Sequence, residues 1–175
     1  MLFRSLVYLN QIGGQDELVF DGASFVLNAD RSLAVQIPAF EERVSICTFA
    51  RSSDGWACVN GERATLPEGD EADYAACVLG LRDYVEKNGF PGVVMGLSGG
   101  IDSALVLAIA VDALGADKVR TLMMPSPYTA DISWIDARDM ANRLGVRYDE
   151  VSIVPEFEAF LGSLKADFEI GRAHV

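Results

Sequence analysis

Between Gly96 and Ser103 the chain reads Gly-Leu-Ser-Gly-Gly-Ile-Asp-Ser, an octet that gathers two hydroxyls, a carboxylate and adjacent glycines. Adjacent glycines let successive backbone N–H groups turn into a concave nest, with no Cβ in the way of an anion. A helix beginning directly afterwards adds its unpaired N–H groups and the positive end of its dipole at the same point. Ser98 and Ser103 can donate hydroxyl hydrogens to phosphate oxygens. The octet is therefore expected to hold phosphate. It is not the lysine-bearing phosphate loop, because GxxxxGK[ST] counted from Gly96 needs Gly and Lys where Ile101 and Asp102 stand. Nor does GxGxxG fit. A carboxylate beside phosphate is repulsive unless a cation lies between them, so Asp102 points to Mg²⁺ bridging to a polyphosphate. The alternative is that Asp102 or Ser103 merely caps the helix, a place both residue types favour. Capping alone, however, does not require Ser-Gly-Gly directly upstream.

Such a loop has to be positioned by a strand before it and a helix after it. From Glu71 the hydrophobic pattern takes a helical period, with Tyr74, Cys77, Val78, Leu81, Tyr84 and Val85 on one stripe and Asn88-Gly89 as a stop. Strands and helices then alternate. Val93 to Leu97 reads as a strand, about Ser103 to Leu114 as a helix, Val119 to Met123 as a strand, about Ser133 to Leu144 as a helix, and Val146 to Ile153 as a strand. That alternation predicts an α/β fold with a parallel doubly wound sheet, whose ligands sit beyond the carboxyl ends of the strands. The helix after the octet is apolar almost all round, as expected of one packed on a sheet and covered again. Upstream, Leu6 to Phe40 is β-rich, and Ser24 to Leu27 should pair with Leu33 to Ile37 across Asn28 to Ser32. Between Ala50 and Asp70 periodicity fades, which places the domain boundary there.

Composition narrows the partners. The 175 residues carry 14 Lys+Arg against 26 Asp+Glu, a net charge of −12, which argues against a nucleic-acid binder. Half the residues are hydrophobic and 23% charged, an ordinary globular mixture. Cys47, Cys58 and Cys77 have no metal-ligand spacing, and the one histidine is His174, so a Cys/His metal site is not expected and the thiols read as buried hydrophobes in a reducing compartment. The N-terminal residues lack a signal-peptide apolar region, and the longest apolar run, Ala104 to Val111, is too short to span a membrane. A cytoplasmic protein with no membrane partner is the expectation.

The octet with its flanking elements resembles the SGGxDS pyrophosphate-releasing loop of the ATP pyrophosphatases, which adenylate an acceptor oxygen that a nitrogen or sulfur nucleophile then attacks. The run GLSGGIDSALVLAIAVDALGADKVRTLMMPSPYTADIS, followed by DARDMANRLGVRYDEVSI, narrows this further. It resembles the synthetase domain of glutamine-dependent NAD synthetases over most of Gly92 to Phe160. LNQIGGQDELVFDGASFVLNADRSLAVQIPAFEE, upstream, resembles the end of the nitrilase-type glutaminase domain fused to that synthetase.

The resemblance, which runs from about Val7 to about Leu164, implies an adenine nucleotide alpha hydrolase-like sheet over residues 71–169. It also implies the C-terminal β-rich part of a nitrilase-type α/β sandwich over residues 1–50 and a linker at 51–70. It implies that Gly96, Leu97, Ser98, Gly99, Gly100, Ile101, Asp102 and Ser103 bind ATP, with Asp102 a Mg²⁺ ligand. Leu122 to Met124 would lie by the adenine, Met124 as a contact, with Ser126, Tyr128 and Thr129 nearby. Core packing remains the alternative for Met123 and Met124. The implied reaction converts deamido-NAD to NAD through an adenylated nicotinate, with ammonia from glutamine, releasing AMP and pyrophosphate. The implied assembly is a homo-oligomer. The family's glutaminase Cys, Glu and Lys lie upstream of GGQDELVFDG, so no catalytic residue is assigned to this chain. Asp16, Glu17 and Asp21 are read as structural. The chain is expected to be a truncated piece, with residues 170–175 a non-native tail. Two rival readings stand beside this one: a tRNA sulfur transferase, disfavoured by the acidic charge, and a nucleotide-binding fragment without turnover.

Overall fold

Apolar residues between Leu6 and Asn60 form short antiparallel strands. A computed structural model describes residues 4–53 and 55–165, and chain contacts divide it into two units, Met1–Phe90 and Pro91–Val175. In the first unit, β1 (Leu6–Tyr8), β4 (Phe25–Leu27) and β5 (Leu33–Gln36) make an antiparallel sheet in the order β1-β4-β5. The β4–β5 hairpin is the one expected from the turn-rich Asn28 to Ser32. Its loop is held by Asp30, whose carboxylate accepts from the Ser32 N–H at 2.9 Å and the Ser32 hydroxyl at 2.6 Å. Val26, Ala34, Val35 and Cys58 form the core beneath it, with Cys47 partly buried alongside. Cys77 is exposed, contrary to its reading as a buried hydrophobe.

Two further hairpins were not legible as such. β2 (Ile12–Gln15) and β3 (Leu18–Asp21) pair across Asp16-Glu17, where Asp16 adopts φ 51°. Asp16 and Glu17 thus make a tight turn, and Asp21 accepts from Asn10 Nδ2 at 2.9 Å. β6 (Thr48–Ser52) and β7 (Gly55–Asn60) pair inside the stretch read as linker. Trp56 and Val59 are about 60% exposed there, so one face has little apolar contrast with the other. Asn28 supplies the tertiary hold: its Oδ1 accepts from the Cys58 N–H at 2.8 Å and its Nδ2 donates to the Cys58 carbonyl at 3.2 Å.

Helix α1 (Asp70–Lys87) opens with Asp70, Glu71 and Asp73, which favour its positive end. Contacts group it with the first unit, so the contact division falls after Phe90. The cause is a polar clamp. Asp83 Oδ2 accepts from the Gly14 N–H at 2.7 Å and from Lys87 Nζ at 2.8 Å, and Lys87 Nζ also donates to the Gly14 carbonyl at 2.7 Å. Helix and strand meet closely because Gly14 faces Gly80; a Cβ on Gly14 would sit 3.1 Å from Gly80 Cα.

The second unit carries the expected α/β pattern. β8 (Val93–Gly96), α2 (Ile101–Leu114), β9 (Val119–Met123), α3 (Asp131–Leu144) and β10 (Arg147–Glu150) alternate, and the three strands are parallel in the order β10-β9-β8. Val119, Thr121 and Met123 form the buried face of β9. Leu107, Ala110, Ala137 and Ala141 are at most 2% exposed in α2 and α3. Burying a leucine such as Leu107 contributes about 1.5–3 kcal/mol, and the alanines allow the close helix approach that makes this possible. On the other face Arg120 and Arg147 both reach Asp149, at 2.6 and 3.1 Å. Ile101, Leu105 and Val106 of α2 stay exposed, so the outer covering expected for that helix is not supplied among the described residues. β10 is shorter than the Val146 to Ile153 expectation, covering Arg147–Glu150 and ending before the next helix begins at Val154. α4 (Val154–Leu164) follows, with Pro155 in its first turn. No described helix is long and apolar enough to cross a membrane. Residues 170–175 lie outside the described residues.

Candidate functional site

β8 ends at Gly96, and Leu97 continues alongside β9 by donating its N–H to the Leu122 carbonyl at 3.0 Å. That bond aims the octet at the carboxyl ends of the strands. The chain then turns at Gly99, which has φ +81°, a backbone conformation that side chains with a Cβ rarely adopt. Helix α2 starts at Ile101 with Gly100 at its N-cap and no side-chain cap. The capping alternative for Asp102 and Ser103 therefore fails. The first N–H groups of such a helix have no partner within it.

The hydroxyls instead hold the loop shut on itself. Ser98 Oγ and Ser103 Oγ are 3.0 Å apart, the Gly100 N–H donates to Ser98 Oγ at 3.2 Å, and Ser103 Oγ donates to the Gly100 carbonyl at 2.9 Å. These neutral bonds are exposed and exchangeable for phosphate oxygens, which accept more strongly.

Two cavities border the octet. One, of about 460 Å³, is lined by Gly96, Leu97, Ser98 and Ser103 on the loop side, by Leu122, Met123 and Met124 at the end of β9, and by Tyr128, Thr129, Ala130 and Ser133 opposite. The second, of about 430 Å³, takes Leu97, Gly99, Gly100 and Ile101 together with Asp136 and Arg143 of α3. Seven of the eight predicted residues thus line one or both cavities, Leu97 bordering the two. Ile101 is 81% exposed, so any ligand role it has belongs to its backbone. Asp102 stands exposed at the second helical position and is in neither lining.

Strand alternation separates the two methionines. Both border the cavity, but Met123 is 3% exposed and packs in the core, whereas Met124, just past the strand, is 47% exposed. Its methyl carbon would lie 3.4 Å from a Cβ on Gly96. The loop after β9 is stiffened by hydroxyls: the Ser126 N–H donates to Thr129 Oγ1 at 2.9 Å and the Tyr128 N–H to Ser126 Oγ at 3.2 Å. Ser133 and Ala130 were missed as lining residues, because only the folded chain brings the start of α3 opposite the octet.

The β10 carboxylates Asp149 and Glu150 are committed to cations. Arg120, then Arg147, holds Asp149 below the usual carboxylate range, and Arg138 does the same to Glu150. Among the described residues no group of three or more His, Cys, Asp or Glu could hold a metal ion. Such a donor set could hold a cation only if the cation brought phosphate ligands of its own, Asp102 being the octet's one carboxylate.

A family model described as NAD synthase matches residues 73–173, more than half of the chain. The chain belongs to the NAD synthase family. The family match begins inside α1, three residues after its first residue, so sequence kinship and contact grouping divide the chain at different places. The chain is 54% identical over 159 residues to a glutamine-dependent NAD(+) synthetase of Rhodobacter capsulatus, covering 91% of this chain and 29% of that relative. The solved glutamine-dependent NAD+ synthetase of Acinetobacter baumannii, in complex with ADP, matches 97% of this chain and 32% of its own at TM-score 0.89 and 46% identity. An NMN synthetase from Francisella tularensis matches 57% of this chain and 41% of its own at TM-score 0.52 and 31% identity. The chain thus spans about a third of the length of the glutamine-dependent relatives it matches.

Proposed function

We propose that this NAD synthase family member contributes the adenine-nucleotide site of an enzyme that amidates deamido-NAD to NAD, using ATP and ammonia drawn from glutamine. The observation that carries this is the Ser98–Ser103 hydroxyl pair, set over a glycine turn at the start of α2 and bordering the cavity that Met124 and Tyr128 line. The ADP complex of the A. baumannii relative, at TM-score 0.89, supports a nucleotide there. A match over 97% of the chain favours the glutamine-dependent enzymes over the NMN synthetase, which matches only 57%. Residues 1–50 are read as the end of the nitrilase-type glutaminase domain, with the homo-oligomeric assembly and cytoplasmic setting that this family implies.

In this reading the carboxylate of the nicotinate ring attacks the α-phosphorus of ATP and pyrophosphate leaves. Ammonia then attacks the acyl adenylate and AMP leaves, giving the carboxamide. The chain's part is positioning and charge stabilisation. The free N–H groups at Ile101 to Ser103 and the two serine hydroxyls receive phosphate oxygens, while Met124 packs against the base. Asp102 would hold Mg²⁺ jointly with those oxygens, and the cation supplies neutralisation of the departing pyrophosphate.

The test is titration of the chain with ATP in the presence and absence of Mg²⁺, followed by assay of AMP and pyrophosphate with deamido-NAD and ammonia. Mg²⁺-dependent binding that weakens in Ser98→Ala and Ser103→Ala is expected. Absence of ATP affinity, or affinity indifferent to both serines, overturns the reading. Binding with no release of AMP and pyrophosphate favours the fragment without turnover.

A further inference from the structure

We propose that Phe157 in α4 is a positioning residue that holds the Tyr128 ring at the mouth of the nucleotide cavity. This rests on the nucleotide reading above and adds a role to a helix outside the octet. Tyr128 lines the cavity, yet it is 77% exposed. Its backbone is fixed, since its N–H bonds Ser126 Oγ and the Ser126 N–H bonds Thr129 Oγ1. Fixing the backbone does not fix the ring, because rotation about the Cα–Cβ and Cβ–Cγ bonds can still swing it away from the opening.

What meets the ring is Phe157, edge to face at a centroid separation of 5.7 Å and an interplanar angle of 85°. That is the arrangement aromatic quadrupoles prefer. Phe157 is half-buried and its own backbone is tied to the same loop. The Phe157 N–H donates to the Ile153 carbonyl at 2.9 Å, and the Ile153 N–H donates to the Pro125 carbonyl at 3.1 Å. Loop and helix start therefore move together, and the ring pair keeps one face of Tyr128 presented to a planar ring entering the cavity. A side chain held in its bound position need not be ordered when ligand arrives.

The experiment is a double-mutant cycle on Mg²⁺-ATP affinity, measured by calorimetry on the chain. Phe157→Ala should weaken binding roughly three- to tenfold, the range expected from an aromatic pair. Phe157→Leu, which keeps apolar bulk in α4, should weaken it similarly, and Phe157→Tyr should restore it. Phe157→Ala combined with Tyr128→Ala should bind no worse than Tyr128→Ala alone. Wild-type affinity in Phe157→Ala or Phe157→Leu, or multiplied losses in the double variant, would overturn the proposal. A wild-type chain with no ATP affinity overturns the nucleotide reading and this proposal with it, a result distinct from those.

Discussion

Gly99 lies so close to Ser133, at the start of α3, that a Cβ added to it would stand 2.3 Å from the Ser133 carbonyl oxygen and 2.8 Å from its Cα. No real Cβ tolerates that approach, and the obstacle is backbone. The glycine-bent corner and the first turn of the next helix are thus fitted to each other, which is why both border the same region.

Gly99→Ala adds that collision to the strain of φ +81°, itself about 1–3 kcal/mol for a residue with a Cβ. The corner must then shift, and Mg²⁺-ATP affinity should fall about tenfold or more. Gly100→Ala is the control: its φ is −87° and the new Cβ meets only Ser98 Oγ at 3.4 Å. Affinity by calorimetry should fall less there than in Gly99→Ala. Equal effects at both positions would refute the argument.

Asp102→Asn keeps shape and removes charge at an exposed site that caps nothing. Stability should change only by the helix-dipole contribution, about 0.3–1 kcal/mol. ATP affinity, by contrast, should lose its response to Mg²⁺. Titrations with and without the cation decide this, and an undiminished response would remove Asp102 from the metal's ligands.

Thr121 is fully buried and its hydroxyl donates to the Arg147 carbonyl at 2.9 Å, joining β9 to β10. Thr121→Val keeps the volume but points a methyl at that oxygen. A loss of about 0.5–1.5 kcal/mol in urea unfolding is expected, the net contribution of one such hydrogen bond. Thr121→Ser retains the bond and should lose less.

The Asp83 clamp on Gly14 gives the first unit a pH signature. Burial works to raise the Asp83 carboxyl, but Lys87 and the Gly14 N–H outweigh it and hold the group below the usual carboxylate range. A depressed folded value stabilises above the unfolded pKa, about 3.9, and that stabilisation is lost as pH falls through the folded value. Asp83→Asn should therefore unfold more easily than wild type at neutral pH, by roughly 1 kcal/mol or more. The gap should close below about pH 4, as thermal unfolding across pH will show. A gap constant with pH would mean that charge plays no part.

The octet, the strand before it and the helix after it were legible in the sequence because their information is local. Glycine pairs, hydroxyl spacing and a change from helical to strand periodicity act over a few residues. The same holds for the β4–β5 hairpin, whose turn is written in Asn28 to Ser32. The family itself was readable from the run of residues around that loop. What the tertiary structure decided depends on residues far apart in the chain. Cys58 is held by Asn28 in a stretch that had looked like linker, and α1 joins the first unit because Asp83 reaches Gly14. Met123 and Met124 are identical to a sequence pattern, and only the strand end makes one buried and the other exposed. The placing of Ser133 against Gly99, and of Phe157 against Tyr128, follows from how helices pack on a parallel sheet. Local propensity carries no information about such contacts, because they cost chain entropy that only the finished core offsets.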